Sequence, residues 1–230
     1  MKIGIGIPTY NRYDLLEPSL KKYSTDFPNT QIFIVDNGHQ NIFDRSMNIR
    51  QLWNAEKIAK GELTDVAWAG ITLIENQENV GVGASWNQLC SHIFSKGCDY
   101  AVILNDDIYL GKNETEILEF IQKKKVGFMR ATPDWCVFII SKDIYEKVGK
   151  FDECFFPAYY EDKSYEYRMK LKNIPVLTHP TLNPIIYRSS QSIEKDYSIL
   201  TASKKNKKLF IEMWGGEPGK EKYKTRYNEK

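Results

Sequence analysis

Long hydrophobic runs are missing from this chain. No apolar stretch approaches the roughly 20 residues that a membrane-spanning helix requires. The opening Ile3-Gly4-Ile5-Gly6-Ile7 is too short for the apolar region of a secretion signal. The expectation is a soluble, cytoplasmic protein. The four cysteines form no C-x-x-C pair. Cys90, Cys98, Cys136 and Cys154 lie in apolar or helical stretches, which suits reduced core thiols and argues against zinc. An excess of one charge is lacking too, since a net charge of +2 argues against a dedicated nucleic-acid binder. Internal repeats and low-complexity tracts are absent. So is a G-x-G-x-x-G fingerprint: Gly4 and Gly6 precede the turn, and Pro8 and Thr9 stand where a third glycine is needed.

What is present reads as an α/β chain. Ile3, Ile5 and Ile7 alternate along a first strand, and Tyr13 to Tyr23 has the apolar spacing of a helix. Gln31 to Val35 is a second strand, and strand, helix, strand in that order builds a parallel sheet. Residues 39–65 look like an insertion with one helical face. Further strands are expected at Ile71 to Ile74, Tyr100 to Leu104, Val126 to Met129, Trp135 to Ile140 and Val176 to Thr178. Helices are expected at Ala84 to Phe94, Glu114 to Gln122, Lys142 to Val148, Glu161 to Leu171 and Lys195 to Met213. Asn113-Glu114-Thr115 has the form of a glycosylation sequon and reads here as a helix start. The last thirty residues carry nine Lys or Arg against four Glu. This basic tail is open to three readings: a solvated face, attraction to an anionic membrane, or packing on a partner or further domain.

Chemistry concentrates in a few places. Ala101-Val102-Ile103-Leu104 reads as a strand covered on both faces, and Asn105-Asp106-Asp107 follow at its carboxyl end, where open α/β sheets bind ligands. Adjacent carboxylates repel unless a cation lies between them, and hard oxygen ligands select Mg²⁺ or Mn²⁺. The plainer alternative is a solvated loop. Gly81 and Gly83 open a helix whose N-terminus favours anions, or form an ordinary Gly-rich turn. Glu161 and Asp162 stand in the first turn of a helix, where the macrodipole favours acids whatever else they do.

Four segments occur in one order: Ile7-Pro8-Thr9-Tyr10-Asn11-Arg12, Ile34-Val35-Asp36-Asn37-Gly38, Asn79-Val80-Gly81-x-Gly83-x-x-x-Asn87 and Asn105-Asp106-Asp107. Gly149-Lys150-Phe151-Asp152-Glu153, Phe155-Phe156 and Tyr160-Glu161-Asp162 follow. Together, over residues 1–192, they resemble the GT-A glycosyltransferases, in particular the inverting family 2 type that includes rhamnosyltransferases. The resemblance implies a Rossmann-like, mostly parallel central sheet flanked by helices. It implies a nucleotide-sugar half at about 1–110 and an acceptor half at about 111–192, with residues 193–230 a helix and basic tail packed on, or trailing from, the same domain. Pro8, Thr9, Tyr10 and Arg12 match the loop against the nucleoside, and Asp36 the acid that binds base or ribose. Asn79, Gly81 and Asn87 match the segment near nucleotide and donor sugar. Asp106 and Asp107 match the D-x-D edge, with Asp107 meeting the metal, and Asp162 matches the catalytic base.

Two departures stand out. The first carboxylate of the D-x-D is the amide Asn105, and Tyr187, followed by Arg188-Ser189-Ser190-Gln191-Ser192, stands where the family often has a His. His179 is a candidate replacement ligand or a structural residue, and Arg188 a candidate to neutralise the diphosphate.

The chemistry of sugar transfer fits these residue types. The departing diphosphate needs a Lewis acid, Mn²⁺ or Mg²⁺, and the acceptor hydroxyl needs a base, Asp162, on the opposite face of the sugar. In-line attack with no enzyme nucleophile inverts the anomeric centre. Trp135, Phe155, Phe156, Tyr159 and Tyr160 are candidates for an acceptor platform, or core aromatics. The expected function is metal-dependent, inverting transfer of one sugar from a nucleoside-diphosphate donor, UDP-linked, to a glycan or glycoconjugate hydroxyl. Lack of a Q-x-x-R-W sequence argues against a processive synthase. The alternatives are a non-catalytic nucleotide-sugar-binding module, suggested by Asn105 and Tyr187, and a sugar nucleotidylyltransferase, whose Gly-rich loop Pro8-Thr9-Tyr10-Asn11-Arg12 does not supply.

Overall fold

A computed structural model describes residues 1–38, 70–130, 135–178, 185–186 and 197–229. The expected insertion at 39–65 lies outside them, as do His179, Tyr187 and Arg188. A seven-stranded sheet runs in the order β3-β2-β1-β4-β7-β6-β8. Its strands are β1 (Ile3–Thr9), β2 (Gln31–Asp36), β3 (Ile71–Glu75), β4 (Tyr100–Leu104), β6 (Phe128–Arg130), β7 (Val137–Ser141) and β8 (Leu177–Thr178). β3, β2, β1 and β4 are mutually parallel neighbours. β7 is antiparallel to both β4 and β6, and β6 and β8 are parallel.

Strand alternation sorts the core into two layers. Ile3, Ile5, Ile7, Ile32, Ile34, Val102 and Leu104 face one side. There they meet α1 (Tyr13–Asp26) through Leu16, Leu20 and Tyr23, and α3 (Glu114–Lys124) through Ile117 and Ile121. Phe33, Val35, Ala101 and Ile103 face the other side and pack on α2 (Val82–Ser95), α4 (Lys142–Val148) and α5 (Glu161–Leu171). Gly4 and Gly6 face α2. A Cβ on Gly4 would come within 2.8 Å of Ile93, and one on Gly6 within 2.7 Å of Ile103. The G-x-G in β1 therefore serves close helix-to-sheet packing.

Local chemistry sets several boundaries. Asn113 caps α3 with a reciprocal box: its side chain accepts from Glu116 N at 3.1 Å while its own N–H donates to Glu116 Oε2 at 3.0 Å. The Ser141 hydroxyl accepts from Ile144 N to start α4. An antiparallel pair of two-residue strands, β5 (Ile108–Tyr109) and β9 (Ile185–Ile186), was not foreseen, being too short to leave a periodic pattern.

The chain closes on α6 (Tyr197–Trp214), whose Phe210, Met213 and Trp214 join Phe155 and Tyr167 in a third apolar cluster. Beyond it the backbone turns back. Lys222 N and Tyr223 N donate to Trp214 O, and the Tyr167 hydroxyl donates to Tyr223 O at 2.8 Å. The backbone of residues 215–229 is thereby fastened to α5 and α6, while most of the side chains it carries are exposed. Cys154 requires a correction, since it is exposed while Cys90 and Cys98 are buried. Among the described residues no helix is long and apolar enough to cross a membrane.

Candidate active site

The carboxyl ends of the parallel strands bring the acidic edge together with the loop after β1. Thr9, the last residue of β1, sits in register opposite Asp36, the last of β2, and Asp36 opposite Glu75 of β3. The Thr9 hydroxyl donates to Asp106 Oδ2 at 2.8 Å. α1 holds the same turn from below: Ser19 Oγ donates to Asp106 O at 3.2 Å and the Tyr23 hydroxyl to Ile108 O at 2.6 Å. Asp106 and Asp107 are each only 7% exposed, which removes the solvated-loop alternative. Arg12 is buried and donates to both oxygens of Asp14 at 3.0 and 3.1 Å. Its guanidinium is held above its ordinary value by that bond and then by the charges of Asp14, Asp106 and Asp107. Burial, reinforced by Asp107, pushes Asp106 up to about 7 against the opposing effects of Thr9 and Arg12. Pro8 is half-buried and Tyr10 is 39% exposed at the rim.

Beside this edge lies an amide network that sequence reading missed. Asp36 is fully buried and accepts from Gly38 N at 2.8 Å, an Asx turn that shapes the end of β2. Asn37 donates to Ser85 Oγ at 2.9 Å and accepts from Asn76 at 2.8 Å, while Asn76 and Gln88 exchange bonds of 3.0 and 2.9 Å. Asn79 Oδ1 accepts from Gly81 N at 2.9 Å, and Gly81 adopts φ +84°, open to glycine alone at that ψ. The only signal for this network in the sequence is the density of Asn and Gln around 76–79.

Two expected ligand contacts turn out to be fastenings. Val82 N donates to Pro157 O at 2.8 Å, and a Cβ on Gly83 would come within 3.1 Å of Asp152 O, so the 151–157 loop covers the start of α2. Asn87, expected near the donor sugar, is buried. It donates to Phe151 O at 3.0 Å and Glu153 Oε1 at 2.8 Å, and accepts from Phe151 N at 2.8 Å and the Tyr145 hydroxyl at 3.2 Å. Its amide is filled by the protein and joins α2 to the loop.

Trp135 requires a correction as an acceptor residue. It is 7% exposed, stacks on Trp86 at 5.8 Å, meets Phe128, Phe138, Phe151 and Tyr165 within 6.3 Å, and donates its indole N–H to Glu166 at 2.8 Å. Six rings form one core layer under α5 instead of a platform. Phe155 is buried against Phe210, whereas Phe156 is 45% exposed. Tyr160 precedes α5 in the left-handed region, φ +79°, and its half-buried ring packs on Phe210 at 5.7 Å.

The first turn of α5 carries Glu161 and Asp162. Asp162 is 20% exposed on its side chain, with Lys163 Nζ at 3.5 Å. Burial raises its carboxyl above the ordinary value, Lys163 opposing and Glu166 assisting. Glu161 is 5% exposed, its Oε2 is buried without a hydrogen-bond partner among the described residues, and burial followed by the charge of Asp162 raises it further. Asp152 is the hub beneath them. It accepts from the Ser164 hydroxyl at 2.5 Å and pairs with Arg168 and Arg226, and Ser164 in turn accepts from the Trp214 indole at 2.9 Å.

Among the described residues, no three His, Cys, Asp or Glu side chains converge as a metal cage. Asp106 and Asp107 nonetheless suit Mg²⁺ or Mn²⁺, since a hard ion of this kind binds through one or two carboxylates and takes its remaining oxygens from phosphates and water. A buried carboxyl raised by burial and by a like neighbour is relieved by a nearby cation, which is the condition of Asp106.

The family model described as "Glycosyl transferase family 2" matches residues 5–150. No curated protein matches the chain. S. aureus TarS is similar in structure, with a TM-score of 0.57 at 14% identity over 78% of this chain and 35% of that one. Glucosyl-3-phosphoglycerate synthase from Mycobacterium tuberculosis, solved with Mn²⁺, UDP and glucosyl-3-phosphoglycerate, gives 0.53 at 11% identity over 91% of this chain and 78% of that one. The chain thus spans about a third of the length of TarS. At these identities the likeness is one of fold, GT-A.

Proposed function

We propose that this chain, which belongs to glycosyl transferase family 2, moves a single sugar from a nucleoside-diphosphate donor to a hydroxyl of a glycan or glycoconjugate, with inversion at the anomeric carbon. The observation that carries the reading is the buried pair Asp106 and Asp107 at the end of β4, tied to Thr9 and within the field of Arg12. In this reading residues 1–110 hold the donor, 111–192 the acceptor, and 193–230 form an appendage of the same domain. The donor is UDP-linked, in keeping with the UDP bound by the mycobacterial synthase of the same fold.

Asp36 receives the base or ribose, with Pro8, Thr9 and Tyr10 beside the nucleoside. Asp107 and Asp106 hold Mn²⁺ or Mg²⁺, which as a Lewis acid stabilises the charge of the departing diphosphate. Arg12 keeps the acidic edge from repelling the incoming phosphates, and Arg188 is assigned to the diphosphate. Asp162 accepts the proton of the acceptor hydroxyl as its oxygen bonds to the anomeric carbon and the carbon–diphosphate oxygen bond breaks. A raised carboxyl is a stronger base once ionised, which suits Asp162 to that task. Tyr160, at the start of the same helix, is the remaining acceptor candidate.

The test is calorimetric titration with UDP, GDP and dTDP, each with and without Mn²⁺, on the native chain and on Asp107→Asn and Asp162→Asn. One nucleotide should bind in a metal-dependent way that Asp107→Asn abolishes. Asp162→Asn should retain that binding and lose turnover. Binding without turnover in the native chain would select the non-catalytic module, and no binding of any nucleotide would remove the donor site.

A further inference from the structure

A cavity of about 550 Å³ lies at the opposite end of α5 from Asp162, between that helix, Trp214 and the returning segment 224–229. Its volume is within the range of small-molecule sites. Arg168, the lining residue of α5 nearest to Asp162, follows it by six positions, about 9 Å of helix axis, and the rest of the lining on that helix lies farther toward the C-terminal end, so the cavity is distinct from the transfer site.

Four cations line it, Arg168, Lys172, Lys224 and Arg226, against the single acid Glu229. Asp152 lies behind the wall and is already shared by both guanidiniums: Arg168 Nε stands 3.4 Å from its Oδ2, and Arg226 Nη2 pairs with its Oδ1. One carboxylate for two arginines leaves a positive excess. Burial first, and the charge of Arg226 after it, lower the Arg168 guanidinium although Asp152 opposes them. Lys172 and Lys224 are exposed and have no ion-pair partner among the described residues. The negative end of the α5 dipole offsets about half a charge and does not cancel the excess. Between the cations, Val148, Trp214 and Leu171 supply apolar wall, with Leu171 36% exposed.

We propose that this cavity is a second ligand site, which binds a phosphate-bearing anion between the C-terminal turn of α5 and the basic segment that folds back over it. Lys172 and Lys224 are the free charges that meet the anion, and Arg168 and Arg226 form a floor whose position Asp152 fixes. A soluble phosphate compound and a phospholipid headgroup share this chemistry.

The test uses the full chain in metal-free buffer, with inorganic pyrophosphate in calorimetry and phosphatidylglycerol/phosphatidylcholine vesicles, against phosphatidylcholine alone, in sedimentation. The double variant Lys172→Ala/Lys224→Ala, at exposed positions, should bind at least tenfold more weakly than the native chain. Asp107→Asn should bind as the native chain does, which separates this site from the donor site. Lys204→Ala/Lys205→Ala, equally exposed but outside the cavity, should also leave binding unchanged. Lysine-dependent binding of pyrophosphate supports a soluble ligand, and of vesicles alone a headgroup. No binding in either arm, or equal loss in the two double variants, overturns the proposal.

Discussion

Thr9 and Asp106, ninety-seven positions apart, are joined by a 2.8 Å hydrogen bond that ties the end of β1 to the acidic edge after β4. Thr9→Val keeps the shape and removes the donor. The buried Asp106 then loses an interaction that holds its carboxyl down at about 7, and it rises further. The variant should be destabilised by about 1–2 kcal/mol in urea unfolding. It should also bind UDP with Mn²⁺ several-fold more weakly at pH 7, the gap closing as pH rises. Unchanged affinity at pH 7 would count against Asp106 as a metal ligand.

Asp162 sets a pH dependence of both rate and stability. Its carboxyl lies above its ordinary value in the folded protein, burial being the main cause. The acid limb of the kcat/KM profile should therefore fall above the usual carboxylate range. Between the unfolded and folded values the native state keeps a proton that the unfolded chain has released, so this group lowers stability as pH rises through that window. Asp162→Asn removes the penalty. Its melting temperature should match the native chain at low pH and exceed it at neutral pH, where coincident curves would show that burial does not shift Asp162.

Trp135 is core. Trp135→Ala should cost about 3–5 kcal/mol through cavity formation and loss of the bond to Glu166. Trp135→Phe should leave the acceptor KM within about twofold while lowering stability by about 1–2 kcal/mol. A large rise in acceptor KM without loss of stability would restore Trp135 to the acceptor site.

Gly81→Ala tests the turn that opens α2. At φ +84° with ψ 169° a Cβ is strained, and it would stand 3.0 Å from Pro157 O. A loss of about 1–3 kcal/mol is expected. Because the 151–157 loop rests on this turn and leads into α5, turnover should fall more than nucleotide affinity. A variant as stable as the native chain would show that the turn relaxes freely.

Much of this was legible in the chain. Alternation at Ile3, Ile5 and Ile7 and the helical spacing after Tyr13 place β1 and α1 correctly, because burial against a sheet leaves a periodic mark. Short elements leave none: β5 and β9 hold by pairing with each other and escape any pattern. Trp135 and Asn87 show a different limit. An aromatic or an amide in a suggestive motif has the same letter whether it faces a ligand or a neighbour, and only the closing of the core around Trp135 and the filling of the Asn87 amide decide between the two.

The sequence by itself determined the chain order of the longer strands and helices and the acids at strand and helix ends, since both follow from local period and residue chemistry. The tertiary structure alone decided which of those acids are buried, that Asp152 gathers Arg168 and Arg226, and that the basic segment folds back to frame a cavity. These depend on contacts between residues as far apart as 152 and 226, for which no local signal exists.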